Sequence, residues 1–169
     1  EGGEAGLGER AARALDRAVQ GRVETVVIFG NGAAHNRFTR EPPLVEQLRI
    51  IPEHLRTVAA AAAERDLQLG LLPHLDYRGH EMVAAMAAVA HPALKMAFDT
   101  TNPFPVCEEP VDAARTVLPH AVAVALKDVQ IYPHRSNDVT IWGAPLGAGS
   151  VDFAAILPLM KELLPAPER

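Results

Sequence analysis

The chain has 169 residues, of which 49% are apolar and 22% charged, and it carries a formal net charge of −5. This balance excludes a disordered chain and favours a globular α-rich or α/β protein with a core of small aliphatic side chains. Charges of both signs are interspersed, which excludes the basic surface of a nucleic-acid-binding protein, and no stretch approaches the roughly 18 apolar residues of a membrane span.

The first third of the chain predicts a helix, a strand and a second helix. Residues 5–20 carry apolar side chains at helical spacing, and Gly21 ends the helix. Residues 23–29 form an apolar run that predicts a buried strand ending at Gly30. Residues 44–65 predict a long helix, because an alanine-rich segment follows the start signal of Pro42 and Pro43.

The same alternation continues through the rest of the chain. We predict strands at residues 67–72, 94–98 and 121–126 and helices at residues 79–90 and 110–118. A last, irregular strand candidate at residues 140–146 precedes a glycine turn and a helix over residues 151–164. Five apolar strands, each followed by a helix, predict a parallel sheet covered by helices. No linker divides the chain, so we expect residues 1–169 to form a single domain.

Polar side chains cluster just after the predicted strands. Such a sheet closes into a barrel or stays open as a doubly wound fold. No G-x-G-x-x-G or Walker sequence follows any strand, which weakens the nucleotide-binding alternative. In barrels the carboxyl ends of the strands build the active site, and the polar residues at these ends are Asn31, His35, Arg37, His74, Asp76, Asp99, Asn102, Lys127 and Asp128.

Four consecutive segments resemble motifs of the xylose isomerase-like superfamily of sugar-phosphate isomerases and epimerases, whose relatives include metal-dependent abasic-site endonucleases. The first is L-L-P-H-L-D-Y at residues 71–77, which is similar to the family's L-E-N-H-x-D-Y. A-F-D-T-T-N at residues 97–102 and V-A-L-K-D at residues 124–128 resemble x-x-D-T-x-N and V-H-x-K-D. P-L-G-A-G-S-V-D at residues 145–152 resembles P-L-G-E-G-x-V-D, and the order agrees across residues 23–164.

The resemblance implies a (β/α) barrel of which this chain supplies only part. A complete eight-stranded barrel needs about 250 residues, so we expect about five β/α units, the last five strands, with the first three absent. The inner face of such a partial barrel would be open. A second copy of the chain or a complementary barrel-half chain would complete it, a partner would cover the open sheet, or the chain is part of a longer polypeptide. Of these, association with a second copy or with a complementary barrel-half chain is our leading expectation.

The resemblance also implies a degenerate metal site. The family's four metal ligands fall, by position, on Leu72, Asp99, Ala125 and Ala148, of which only Asp99 can donate to a divalent ion. The two family glutamates that move a proton between sugar carbons are replaced by Leu72 and Ala148. We therefore expect no metal, no cofactor and no isomerase or epimerase turnover of the family's type.

The candidate residues for binding a small polar ligand are Asp99, Asn102, Lys127, His74 and Arg37. Lys127 is expected on the same strand face as Ala125, toward the barrel mouth, where it would bind an anion or form a structural pair with Asp99 or Asp128. His74 is either a ligand contact or a hydrogen-bonded structural residue. The loop with Gly30, Gly32, His35, Arg37 and Arg40 is either an anion-binding loop or an ordinary connection.

Two functions remain open from the sequence. The first is a metal-free barrel domain that binds a small polar ligand or a partner subunit without turnover. The second is an isomerase, epimerase or lyase whose site is completed by another chain, or which uses Lys127, Asp99 and His74 without metal. An engineered or truncated scaffold is a third alternative.

Cys107 is the single cysteine, so no internal disulfide forms and a cytoplasmic location is expected.

Overall fold

The computed structural model describes residues 4–30, 37–133 and 138–166. Helices and strands alternate through most of this range, and the observed helices end within a few residues of their predicted limits. The elements in chain order are α1 Glu4–Gln20, β1 Thr25–Phe29, α2 Leu44–Ala63, β2 Gln68–Leu72, α3 Gly79–Val89, β3 Leu94–Asp99, α4 Pro110–Val117, β4 Ala121–Ala125, β5 Asp128–Pro133, β6 Val139–Ala144 and α5 Phe153–Leu163.

The first four strands form a parallel sheet in the order β1-β2-β3-β4. Because sequential parallel strands require crossover connections of one hand, their helices all lie on one face of the sheet. Strands β1 and β4 approach each other with Cα atoms within 8 Å although two strands separate them, so the sheet is strongly curved. The predicted parallel α/β fold class is confirmed. Strands β1 and β4 are the two outermost strands of the sheet.

The core lies between the outer face of the sheet and the helices. Alternate strand residues, including Leu69, Leu71, Met96 and Phe98, are buried in this layer because successive side chains of a strand point to opposite faces. Ala59 of α2 packs against them with no exposed surface. Its small side chain allows the helix to approach the sheet closely, as the alanine-rich sequence predicts.

The inner, concave face of the sheet is apolar and incompletely covered. Val27 and Phe29 of β1 are exposed on this face, Phe29 to 51%, and Val122 of β4 is also exposed. Gly70 lies between them, where a Cβ would stand 3.1 Å from Cβ of Ala97. The described chain therefore leaves open the surface that a closed barrel buries.

A strand forms near the predicted residues 140–146, but the prediction that it is a fifth parallel strand of the sheet is wrong. Residues of β6 pair antiparallel with β5, a strand that the sequence analysis missed, and the two form a separate hairpin. Only Leu126 and Lys127 separate β4 from β5. A parallel neighbour of β4 needs a crossover of a dozen or more residues, so β5 cannot join the parallel sheet directly after β4, and it pairs with β6 instead. Within the described residues, the parallel sheet has four strands rather than the predicted five.

Among the described residues, no helix has both the length and the apolar character that a membrane crossing requires.

We predict that the core depends on Leu69, which has no exposed surface. Leu69→Ala should lower the free energy of unfolding by about 2–5 kcal/mol, because the cavity cannot close completely. Leu146→Ala is the matched control, since Leu146 is 59% exposed and should change stability by less than about 0.5 kcal/mol. Urea denaturation of both variants measures the difference, and equal losses would contradict the assigned core.

Candidate functional site

The carboxyl ends of the four parallel strands lie at one edge of the sheet. Their last residues are Phe29, Leu72, Asp99 and Ala125. Phe29 is paired in register with Leu72, and Asp99 with Ala125. Three of the four family metal positions therefore share this edge, as the resemblance implies.

Asp99 is the charged residue at the centre of this edge, and its side chain has no exposed surface. Its Oδ1 accepts hydrogen bonds from the backbone N–H and the hydroxyl of Thr101, both at 2.8 Å, and from the N–H of Asn102 at 3.2 Å. Its Oδ2 is buried and has no aligned hydrogen-bond donor among the described residues. Oδ2 is nevertheless in close electrostatic contact, because Nζ of Lys127 lies 2.8 Å away.

Lys127 is held in this position through its backbone. Thr100 is fully buried, and its hydroxyl donates to the carbonyl of Lys127 at 2.6 Å and accepts from the Lys127 N–H at 2.8 Å. The N–H of Thr100 donates to the carbonyl of Ala125 at 3.2 Å. The ends of β3 and β4 are thereby joined, and Lys127 presents a 55% exposed side chain at the mouth of the sheet.

Two opposing effects act on the Asp99 carboxyl. Burial acts to raise its pKa, but the ammonium of Lys127 and the hydrogen bonds from Thr101 together hold the pKa below its usual range. The carboxylate is therefore ionised at neutral pH, and Lys127 supplies the compensating charge.

The donors at this edge do not fit a divalent metal ion. Leu72 and Ala125 stand beside Asp99 and offer no electron pair, and no group of three or more His, Cys, Asp or Glu that could hold a metal occurs within the three described segments. A divalent ion needs several oxygen or nitrogen ligands in one shell. Ala148 does not stand at a strand end of the sheet but in an exposed turn between β6 and α5.

His74 follows β2 and packs beside the end of β1. Its ring centroid lies 4.5 Å from that of Phe29 at a tilt of 44°. Its backbone N–H donates to Oδ1 of Asp76, which also accepts from the N–H of Tyr77, both at 2.9 Å. Burial raises the pKa of Asp76. The half-buried imidazole therefore lies beside Phe29, at the carboxyl ends of β1 and β2.

Asn102 and Arg37 make structural contacts. The Asn102 side chain donates to the carbonyl of Pro73 at 3.1 Å, and Nη1 of Arg37 donates to Oε2 of Glu81 at 2.9 Å. That Glu81 oxygen also accepts from the N–H of Arg78 at the start of α3. Arg37 therefore braces α3, whereas Asp99 and Lys127 form the pair at the centre of the edge. Of the other loop candidates, Asn31, Gly32, His35, His134 and Arg135 lie outside the described residues.

Sequence reasoning names Asp128 as a strand-end residue and as an alternative partner of Lys127, but it missed the role of this carboxylate in organising a turn. The two oxygens of Asp128 accept four backbone N–H bonds of 2.8–3.1 Å, from Val129, Gly147, Gly149 and Val151. A Cβ at Gly149 would overlap this carboxylate. The G-x-G spacing at residues 147–149 is the signal that indicates such a close backbone approach. Asp128 therefore fixes the turn that contains Ala148.

Sequence reasoning also missed Glu108 and a small cavity beside the site. Glu108 accepts from the N–H of Gly79 at the start of α3, and burial raises its pKa. The cavity is lined by Tyr77, Phe98, Asp99, Asn102 and other residues, and it has room for about one water molecule. A ligand would therefore bind at the exposed strand ends rather than in this cavity.

The geometry agrees with a comparison against known families. A family model described as xylose isomerase-like TIM barrel matches residues 2–164. The chain belongs to this family. The resemblance and the incomplete parallel barrel expected from the sequence are both confirmed.

Solved structures of this family superpose on the chain. A xylose isomerase-like TIM barrel protein from Mycobacterium smegmatis, solved in complex with magnesium, has a TM-score of 0.72 and 21% identity, and the match covers 96% of this chain and 58% of that one. An L-ribulose 3-epimerase has a TM-score of 0.73 and 19% identity, covering 94% and 51%. The D-allulose 3-epimerase from Methylomonas sp., in complex with D-allulose, has a TM-score of 0.69 and 17% identity, covering 94% and 52%.

The matches establish the fold and the relative size of the chain. At these identities the structural likeness shows the fold alone. The uncharacterized protein YihM of Escherichia coli (strain K12) is 29% identical over 107 residues, which are 62% of this chain and 33% of that protein. The chain thus spans between about a third and three fifths of the four relatives named above.

We predict that Asp128 stabilises the turn at residues 145–151. Asp128→Asn should lower the free energy of unfolding by about 1–3 kcal/mol at pH 7, because an amide offers fewer acceptors to the four N–H groups. Asp66→Asn, at an exposed position, is the control.

The effect of Asp128 should depend on pH. Burial acts to raise the pKa of Asp128, but its four backbone hydrogen bonds lower it in the folded state. The ionised group therefore stabilises the fold above its unfolded pKa of about 3.9 and loses this effect as the pH falls through the lower folded value. The difference between Asp128→Asn and the parent should shrink in that acid range, and a constant difference would contradict the assignment.

We predict a measurable coupling between Asp99 and Lys127. A double-mutant cycle of Asp99→Asn and Lys127→Met should give about 1 kcal/mol, reduced by added salt, because the ammonium is half exposed and screened. Lys95→Met, at the opposite end of β3, is the control and should not couple with Asp99→Asn. Equal coupling at both lysines would contradict the ion pair.

Proposed function

We propose that residues 1–169 form a single partial-barrel domain that binds a small polar ligand at the Asp99–Lys127 pair, without the metal-dependent turnover of sugar isomerases and epimerases. The observation that carries this proposal is the 2.8 Å contact between Nζ of Lys127 and the fully buried carboxylate of Asp99. A lysine ammonium neutralises the one carboxylate that survives from the family's ligand set. The pair therefore needs no divalent cation to remain stable.

The side chains around the pair support ligand binding without proton transfer between carbons. Leu72 and Ala125 can neither accept nor return a proton. Lys127 retains donors that face solvent, because three N–H groups share one ammonium. His74, which packs against Phe29 at the end of β1, offers a ring nitrogen at the carboxyl ends of the strands. These groups suit the hydroxyl, carboxylate or phosphate oxygens of a small polar ligand.

A second candidate is an active isomerase, epimerase or lyase completed by another chain. The relatives named for their activity include epimerases of L-ribulose and D-allulose, and the strand ends of this chain stand at an open sheet edge to which a partner could bring carboxylates. In the other form of this candidate, the enzyme acts without metal and uses Lys127, Asp99 and His74.

The open sheet supports a partner as part of the proposal. The chain covers 51–58% of the three structures compared above, and the apolar inner face is exposed at Val27, Phe29 and Val122. A second copy or a complementary barrel half would bury this face. Cys107 is exposed, and a lone exposed thiol supports the cytoplasm as the compartment.

We predict that the chain alone does not retain Mn²⁺. Equilibrium dialysis with elemental analysis should find no stoichiometric metal, and Mn²⁺ should not promote conversion of D-allulose or L-ribulose. The variant Leu72→Glu/Ala125→His adds two metal-binding side chains to Asp99, which gives three at the strand ends. This variant should gain Mn²⁺ binding, detected as a rise in Tm with added metal. Ala148→Glu, in the exposed turn, is the control and should gain none. Stoichiometric metal and metal-dependent conversion in the parent chain would favour the enzyme candidate.

We predict that ligand binding depends on Lys127. Titration with ribose 5-phosphate as the probe should shift the amide NMR signals of residues 99–102 and 125–127. Lys127→Met should weaken this binding about tenfold or more, because a charge-assisted hydrogen bond contributes about 1.5–3 kcal/mol. Lys95→Met should leave it unchanged. Equal weakening by both variants, or shifts elsewhere in the sheet, would contradict the site.

A further inference from the structure

Two apolar side chains face inward at the carboxyl ends of the first two strands. Val26 and Ile28 of β1 pack against the core on the helix side, so Phe29 points to the opposite, inner face. Leu71 belongs to the same core, so Leu72 points inward together with Phe29, its partner in register. An aromatic ring and an aliphatic side chain therefore share the inner face at this end of the sheet.

The charged pair lies further along the strand direction than these two side chains. The β2–β3 register, continued by one residue from its last pair, sets Leu72 beside Ala97. Asp99 follows two residues later, which is about 7 Å along the strand, and Nζ of Lys127 lies 2.8 Å from its carboxylate. Strands β1 and β4 approach each other with Cα atoms within 8 Å. The ring of Phe29 and the ammonium of Lys127 therefore border the same small mouth.

The mouth is closed one layer deeper in the sheet. Gly70 precedes Leu72 by two residues, and a Cβ at Gly70 would stand 3.1 Å from Cβ of Ala97 and 3.5 Å from Cγ2 of Val122. Strands β2, β3 and β4 are therefore in contact through their inner faces at this level. A ligand that enters between the strand ends reaches the level of Phe29 and no deeper. A depth of about 7 Å admits a single ring and one substituent.

Most polar side chains around the pair already have partners within the chain. Oδ1 of Asp99 accepts three hydrogen bonds from Thr101 and Asn102. The side-chain amide of Asn102 donates to a backbone carbonyl. Among the described residues, the main side-chain donor left for a ligand is the ammonium of Lys127, which is 55% exposed. The imidazole of His74, beside Phe29, is a second polar group at the strand ends.

This surface favours a ligand whose polarity is concentrated at one end. A sugar carries a hydroxyl on most of its carbon atoms, and hydroxyls that lose water against Phe29 and Leu72 without a new partner weaken binding. A phosphate group is bound best by several donors at once, and the guanidinium of Arg37 is already held by Glu81 at 2.9 Å. A carboxylate is satisfied by one ammonium, and an apolar ring behind it can pack on the apolar side chains.

We propose that the ligand of the Asp99–Lys127 pair is a carboxylic acid with a single apolar ring, and not a polyol sugar or a sugar phosphate. Its carboxylate accepts a hydrogen bond from the exposed side of the Lys127 ammonium, and its ring packs on Phe29 and Leu72. The carboxylate of Asp99 stays buried behind the ammonium, which separates the two negative charges. This inference rests on the proposed binding site and adds the chemical class of its ligand.

The first test compares four probes on the intact chain. Benzoate joins one carboxylate to one apolar ring, whereas acetate lacks the ring, benzyl alcohol lacks the charge and ribose 5-phosphate is a polyol anion. Calorimetric and NMR titrations should show that benzoate binds about fivefold or more tightly than each of the others. Benzoate should shift the amide signals of residues 28–30, 99–102 and 125–127. Equal or tighter binding of ribose 5-phosphate at these residues would overturn the inference and leave the proposed function standing.

The second test separates the contribution of the ring from that of the charge. Phe29→Ala should weaken benzoate binding about fivefold or more and leave acetate binding unchanged, whereas Lys127→Met should weaken benzoate binding about tenfold or more. The matched controls are Leu157→Ala, at a 49% exposed position of α5, and Lys95→Met, and neither should change binding. Because Phe29 is itself 51% exposed, its replacement should leave the chain folded, which urea denaturation checks.

The outcomes distinguish this inference from the function on which it rests. Benzoate binding that is insensitive to Phe29→Ala, or no tighter than acetate binding in the parent chain, would overturn the ring contact and with it the ligand class. If neither benzoate nor ribose 5-phosphate binds in a way that depends on Lys127, the inference and the proposed function fail together.

Discussion

The fold depends on the constraint that sequential parallel strands must be joined by crossovers of one hand. This constraint places the helices on one face of the four-stranded sheet and brings all four strand ends to one edge. The core forms only on the helix side, through Leu69, Leu71, Met96 and Phe98. The inner face of the sheet also carries apolar side chains, and Val27, Phe29 and Val122 are exposed there. The site and the open surface are therefore two consequences of the same topology.

Electrostatics at the strand ends follow from the burial of one carboxylate. Asp99 has no exposed side-chain surface, and a buried charge without compensation is strongly unfavourable. Thr101 and Asn102 satisfy one oxygen, and Lys127 lies against the other. Thr100, the residue directly after β3, hydrogen-bonds the backbone of Lys127. It thereby holds the lysine whose ammonium compensates the charge of Asp99. A second carboxylate, Asp128, organises the glycine turn in an analogous way, with backbone N–H groups in place of an ammonium.

The sequence anticipated individual elements better than their arrangement at the site. Apolar runs located all four parallel strands, and motif resemblance located Asp99 and Lys127 together. The sequence could not decide whether Lys127 pairs with Asp99 or Asp128, because both carboxylates are predicted at the same carboxyl ends of the strands. It also grouped Arg37 with the ligand contacts, whereas Glu81 holds that guanidinium at the start of α3. Side-chain partners depend on distances across elements, and spacing along the chain does not contain them.

The sequence alone determined the parallel α/β class and the aliphatic residues at Leu72 and Ala125, because hydrophobic periodicity and residue identity are local properties. Tertiary structure decided that residues 139–144 turn back on β5, because β5 follows β4 after only two residues, has no crossover that could place it in the parallel sheet, and takes β6 as its partner. It also decided that Ala148 lies in an exposed turn away from the strand ends. The packing of α1 on α2 and of α5 on α4 emerges only when the layers assemble, because contacts between helices distant in sequence are a property of the assembled fold.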